Sequence, residues 1–463
     1  MNANHDIIPK NTLFIKNSKI FKNVVHGSEL DYKSICVWLS TGFFWGNTTF
    51  FKDIKVLKPS HSFKDGKEMG PNWEWYYEPR NISFSNVVDE FIDLFDSVIK
   101  DNFKNQKIIL PLSGGLDSRT LAIALHRNNK NVESFSYYFD GGHNESYYGK
   151  MIADELGYPH SIFKVASGYL WNDLDRISTI NGCYSEFTHP RQAAFLDEYR
   201  KMGDVFCLGH WGDVLFDNLG LNNTMTFNEQ IQFLKKLIIK NGGYQLADEL
   251  WGIWGLEGCF DNYINSQLEY YLSCIKIDNS PNSRLRAFKN LHWAPRWNLV
   301  NVGYFTYSKS AIIPYYDNDF CKFICTVPEE FLSSRKIQIE YIKRLSPSLA
   351  KQTWQEHRPF NLYNYQYDRF PYNIPYRVYD KIRRTIKINK YVNMNWELQF
   401  LGKKNKQFVF DNLLGSKVIE NIVPEEIIRK YFNYFYENDA KTYSHPISML
   451  LTLNQFQKNI TES

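Results

Sequence analysis

Six consecutive residues, Ser113-Gly114-Gly115-Leu116-Asp117-Ser118, carry the clearest chemical signal in this chain. They lie between an apolar run, KIILPL at 107–112, and a stretch with helical periodicity, LDSRTLAIALHRN. Glycines let the backbone turn tightly and approach a ligand closely. The free N–H groups at the helix start then face an anion, and the helix dipole adds to the attraction. Ser113 and Ser118 offer hydroxyls to phosphate oxygens, whereas Asp117 would repel phosphate unless a cation such as Mg²⁺ lay between them. No Lys-Ser/Thr follows the second glycine, so this is not a Walker A loop. A loop without a γ-phosphate lysine suits gripping pyrophosphate as a leaving group. The bland alternative is an ordinary strand-turn-helix capped by Asp and Ser.

The elements that must position this turn can be read from periodicity. Ser85 reads as a helix N-cap, followed by Val87, Val88, Phe91, Ile92, Phe95, Val98 and Ile99 at helical spacing. KIILPL reads as a strand buried on both faces. Beyond the turn come the strand VESFSYYF at 132–139, the helix NESYYGKMIADELG, the strand SIFKV and the strand DVFCLG at 204–209. Strands alternating with helices predict an α/β fold with a parallel sheet. From about 320 onward the pattern is mostly helical, with Tyr- and Pro-rich loops around 359–376. Residues 12–25 and 48–57 read as strand-like and Leu30 to Leu39 as a short helix. Residues 1–83 then form a small α+β N-terminal region and 84–463 the main domain.

Charge is nearly balanced, with 54 Lys+Arg against 50 Asp+Glu, so the whole chain has no nucleic-acid signature. The basic run RVYDKIRRTIKINK at 377–390 reads as a solvated amphipathic helix in preference to a nucleic-acid surface. The seven cysteines include no CxxC pair, and Cys321 and Cys325 read as buried free thiols, which fits a reducing compartment. The first residues lack the apolar core of a signal peptide, and no apolar run approaches the roughly 18 residues of a membrane span. The expectation is a soluble cytoplasmic protein with no membrane partner.

The Ser113–Ser118 turn resembles the PP-loop of the ATP pyrophosphatase superfamily. Within that superfamily the chain is similar to the synthetase domain of the asparagine synthetase family, which includes β-lactam synthetases and peptide cyclases. GHNESYYGKMIADELGYPH at 142–160 is similar to the helix after the family's second strand. LGHWGDVLFD at 208–217 resembles the Gly-rich turn that ends in a Mg²⁺-binding Asp, here Asp213. PYYDND at 314–319, HPISMLLTLNQF at 445–456 and TGFFWGNTTFFKDIKVLKPSH are similar to the Pro-Phe-x-Asp loop, the closing helix and the tail of the glutaminase region. The resemblance implies ATP and Mg²⁺ as cofactors. Leu112, Ser113, Gly114, Gly115, Asp117, Ser118 and Gly209 would contact ATP, with Asp117 and Asp213 sharing the metal. Phe135, Ser136 and Tyr137 would wall the adenine, while Tyr138 and Phe139 pack in the core. The implied chemistry is adenylation of a small-molecule or peptide carboxylate with release of pyrophosphate, then attack by an amine or ammonia.

Several positions depart from the family pattern. Residue 2 is Asn where the glutaminase nucleophile would be Cys, and the chain ahead of Lys107 is short for a glutaminase sandwich. Ammonia would therefore come free, from a separate glutaminase, or be replaced by a substrate amine. His210 stands where asparagine synthetases carry Glu and β-lactam synthetases carry Tyr. It is the candidate base for the amine proton, a role suited to a pKa near neutrality, or else a hydrogen-bonding group in the turn. Ser310-Ala311-Ile312 replaces Glu-x-Arg, and Val214 replaces an acidic residue. Lys351 and Arg358 follow Ser346-Pro347, and Arg358 could take over the family's lysine contact to pyrophosphate. Glu186 and His189 fall where the family places its substrate pocket. Two other readings stay open: asparagine synthesis proper from ammonia, and a nucleotide-binding protein without turnover.

Overall fold

The computed structural model describes residues 29–64, 67–216, 219–386 and 391–461. The strand-like piece at 12–25 and the end of the basic run at 387–390 lie outside them. A hairpin of β1 (Ser62–Lys64) and β2 (Lys67–Met69) precedes the main sheet. That sheet is fully parallel and five-stranded, in the order β5-β4-β3-β6-β7. Its strands are β3 (Ile108–Pro111), β4 (Val132–Phe139), β5 (His160–Val165), β6 (Val205–Cys207) and β7 (Ser310–Ile312). Ile108, Ile109 and Leu110 are completely buried at its centre, as a strand covered on both faces requires. β7 falls on the Ser-Ala-Ile stretch and was not foreseen; three residues carry no alternation by which to recognise a strand.

The helices form where apolar periodicity and caps agree. We label α1 (Tyr32–Thr41), α2 (Phe84–Asn102), α3 (Leu116–Arg127) and α4 (Ser146–Leu156). α2 is capped by Ser83, not Ser85: the Ser83 side chain accepts the Asn86 N–H at 3.2 Å, and Val87, Phe91, Phe95 and Val98 face the core. α4 stops at Gly157, whose left-handed φ of 71° lets its N–H turn back to the helix carbonyls. Residues 48–57 form no strand beyond a single bridge, Phe51 to Leu30. Thr49 instead closes a local turn, donating to the Ile54 carbonyl at 2.7 Å. Phe50 stacks on Phe456 of the C-terminal helix Ala440–Thr461 with ring centroids 3.8 Å apart, and the Trp38 indole of α1 donates to the Tyr184 carbonyl at 3.1 Å. The chain also turns helical well before 320, through Phe227–Ile238, Asn241–Ile253 and Phe260–Ser273. Among the described residues no helix is long and apolar enough to cross a membrane.

The sheet order brings two glycine turns together. β3 lies between β4 and β6, with Ile108 opposite both Val132 and Val205. The turns that leave β3 and β6 at their carboxyl ends are therefore neighbours, at the edge where ligands enter parallel sheets. A Cβ on Gly209 would lie 3.4 Å from the Asp117 Cβ and the Ser118 N. On Gly212 it would come within 2.7 Å of the Asp117 carboxyl carbon. Glycine at 212 is what allows this approach, whereas a Cβ at 209 would only make ordinary contact.

Candidate active site

The first turn is tied internally by its serines. Ser113 and Ser118 hydroxyls lie 3.1 Å apart, and the Ser113 N–H donates to the Ser118 Oγ at 3.2 Å. Completely buried Arg119 donates to the Gly114, Leu349 and Thr353 carbonyls at 3.1, 3.0 and 2.9 Å, clamping the turn to the 349–353 segment. The next residues of that segment close over the turn. The Gly114 N–H donates to the Gln355 Oε1 at 2.9 Å, and the Gln355 Nε2 donates to the Glu145 Oε2 at 2.6 Å. One N–H expected to meet a phosphate is thus held by an amide oxygen. Arg358 stands beside this cluster, with its Nη1 4.0 Å from the Glu145 Oε1 and a hydrogen bond to Tyr148.

Asp117 and Asp213 line one cavity of about 400 Å³ with Arg286, Lys289, Arg335 and Glu356. The Asp117 Oδ1 accepts from the Arg335 guanidinium and, at 2.9 Å, from the Gln338 Nε2, while no described donor reaches its Oδ2. Burial pushes its carboxyl up to about 6; Arg335 pulls it down, and the neighbouring Asp213 charge adds to the rise. Arg335 is delivered by two successive left-handed residues, Ser334 at φ 56° and itself at φ 58°, before the helix Lys336–Leu345. Two such non-glycine conformations in a row are strained and occur where the surrounding structure needs them. Among the described residues no three His, Cys, Asp or Glu side chains converge as a metal cage. Two carboxylates on neighbouring glycine turns nevertheless suit Mg²⁺, which usually takes one or two carboxylates plus phosphate and water oxygens.

Residues 93–217, which contain both glycine turns, match the family model described as asparagine synthase. The segment is similar to that family over these 125 residues. Among solved structures, the chain is similar to NMN synthetase from Francisella tularensis, at 9% identity over 45% of this chain and 93% of that one, TM-score 0.22. It is also similar to the NH3-dependent NAD synthetase from Campylobacter jejuni, at 15% identity over 45% and 97%, TM-score 0.22. The U34-tRNA thiolase NcsA from Methanococcus maripaludis aligns at 13% identity over 66% and 82%, TM-score 0.20. Likenesses this low carry no inference about activity. No curated protein matches the chain.

The remaining candidates fall in different places around this cavity. Phe135 is core, packed on Phe163 and Tyr199, and so does not wall a nucleotide. The Ser136 hydroxyl donates to the Leu112 carbonyl at 2.7 Å, leaving only its backbone for an adenine edge. Tyr137 accepts the Arg191 Nε–H at 2.7 Å. Lys351 is exposed at the end of the helix Pro347–Lys351 and does not line the cavity. Glu186 is spent on structure, accepting from the Thr188 N–H at 2.6 Å and the Ser448 hydroxyl at 2.5 Å.

His210 packs beside Phe305, and burial with the nearby Arg191 charge lowers it to about 4. The expectation of a base poised near neutrality is therefore corrected: His210 stays neutral and free to accept a proton, but it accepts weakly. His189, against Trp297, falls to about 3 by burial with Arg191 adding to the effect. Arg191 thus stands between two neutral histidines and a tyrosine, and no described carboxylate pairs with it. Sequence reasoning missed Arg191, Arg335, Gln338 and Gln355. None of them lies in a motif of the sequence.

Proposed function

We propose that this chain activates a carboxylate with ATP, releasing pyrophosphate, and passes the acyl group to ammonia or an amine. The observation that carries this reading is the approach of Asp117, on a loop of PP type, to the Asp213 turn, with an unpaired arginine nearby. Arg191 would hold and orient the incoming carboxylate by charge-assisted hydrogen bonds. A carboxylate oxygen attacks the α-phosphorus, the bond to the bridging oxygen breaks, and its electron pair leaves with pyrophosphate. Magnesium, when bound by Asp117 and Asp213, would neutralise phosphate charge. Arg335 would transfer from the Asp117 Oδ1 to the departing pyrophosphate, and the loop N–H groups would stabilise the same charge once Gln355 yields. The amine then attacks the acyl carbon, AMP leaves with the carbon–oxygen electron pair, and His210 takes the amine proton late, as befits a weak base.

Ammonia would reach the site free or from a separate glutaminase. The test is pyrophosphate–ATP exchange across a panel of carboxylates. Exchange that depends on one class of carboxylate supports the proposal; tight ATP binding with no exchange on any of them would return the chain to the non-catalytic reading.

A further inference from the structure

We propose that the segment from Phe370 through the helix Ile374–Ile386 is an interfacial anchor that seats this protein on an anionic lipid surface. Single exposed apolar side chains are ordinary, but clusters of them mark interaction sites. Of the 17 large hydrophobic residues exposed among the described residues, seven lie within 370–382: Phe370, Tyr372, Ile374, Tyr376, Val378, Tyr379 and Ile382. Phe370 is 79% and Tyr379 64% exposed. Helical spacing puts Tyr376, Tyr379 and Ile382 on one stripe, with Val378 at its edge. Exposed Arg377 and Lys381 lie toward the other side.

Charge selects the occupant. Residues 377–390 hold six Lys or Arg (377, 381, 383, 384, 387 and 390) against Asp380 alone, a net of +5 where the whole chain carries +4. The rest of the protein is therefore slightly acidic, and its positive charge is concentrated in the same stretch of sequence as these exposed apolar residues. A strongly amphipathic, basic helix of low overall hydrophobicity, bearing aromatic and branched residues, is the pattern of helices that lie in the headgroup region. Aliphatic Val378 and Ile382 among the tyrosines fit acyl chains better than they fit nucleic-acid bases. This departs from the expectation of no membrane partner, which rested on the lack of a spanning segment. The Phe360 ring meets Tyr376 at 5.4 Å, so the anchor continues the segment that holds Gln355 against the ATP turn.

The test is flotation of the full-length protein with vesicles of phosphatidylcholine alone and with vesicles in which about a third of the lipid is phosphatidylglycerol. Each basic residue at such a surface is worth about fivefold in partition. Arg377→Glu/Lys381→Glu should therefore weaken binding to the anionic vesicles by at least about 25-fold, and high salt should do the same. Tyr379→Ser/Ile382→Ser should lower flotation too, with the thermal unfolding of both variants unchanged. Absence of flotation on either vesicle, or flotation that both variants retain, would overturn the proposal. A dimer of this chain that Tyr379→Ser/Ile382→Ser abolishes, without flotation, would assign the face to a second copy instead.

Discussion

Replacing Asp117 by Asn separates the cost of a buried charge from its use. In the folded protein this carboxyl moves from an ordinary 3.8 to about 6, chiefly through burial. At about 1.4 kcal/mol per tenfold change in proton affinity, the ionised folded state bears a cost of about 3 kcal/mol at neutral pH. Some 21% of the side-chain surface still meets solvent, and screening there trims the expected effect to about 2 kcal/mol. Asn mimics the protonated form and escapes that cost. The stability that protonated Asp117 contributes is fully present below its unfolded value and is lost as pH rises through the folded one. The stability gap between Asp117→Asn and the parent protein should therefore be near zero below pH 4, open between pH 4 and 6, and stay level above. Urea unfolding midpoints across that range measure it. In the same variant pyrophosphate exchange should fall by at least about 100-fold. A variant less stable than the parent at pH 7.5, or a gap that ignores pH, would rule out a net cost of the buried charge. The Arg335 ion pair would then outweigh burial.

Four further outcomes follow from the same contacts. Gln355→Ala frees the Gly114 N–H for phosphate and should tighten ATP binding by up to about tenfold, read by calorimetry. Arg191→Ala should lower kcat/KM for the carboxylate by about tenfold or more while leaving ATP affinity unchanged, a split that exchange kinetics resolve. His210→Ala should keep pyrophosphate exchange yet slow amide formation by about 100-fold, and equal loss in both steps would remove its role as proton acceptor. Because His210 protonates only near pH 4, the acid limb of exchange should lie near pH 6, where Asp117 loses its charge.

The strands and helices around the Ser113–Ser118 turn could be read in the sequence because local signals agreed there. β4 runs over the same residues, 132–139, as its apolar pattern, and the glycines after β3 and β6 marked both turns. The N-terminal strand at 48–57 was misread since its Thr, Phe and Val are strand formers, whereas Thr49 bonds locally and Phe50 is claimed by the distant Phe456. What closes the site was beyond reach. Arg335 arrives through a pair of left-handed residues without glycine, and Gln355 reaches Gly114 across 241 positions of chain. Neither contact has a periodicity or a spacing to betray it.

The reaction class is decided by which bond of ATP breaks and what takes the α-phosphoryl group. A substrate carboxylate labelled with ¹⁸O, turned over to product with ATP, tests it by mass spectrometry of the nucleotide. The account predicts one labelled oxygen in the phosphate of AMP and unlabelled pyrophosphate. Label in inorganic phosphate, with ADP as the nucleotide product, would contradict it.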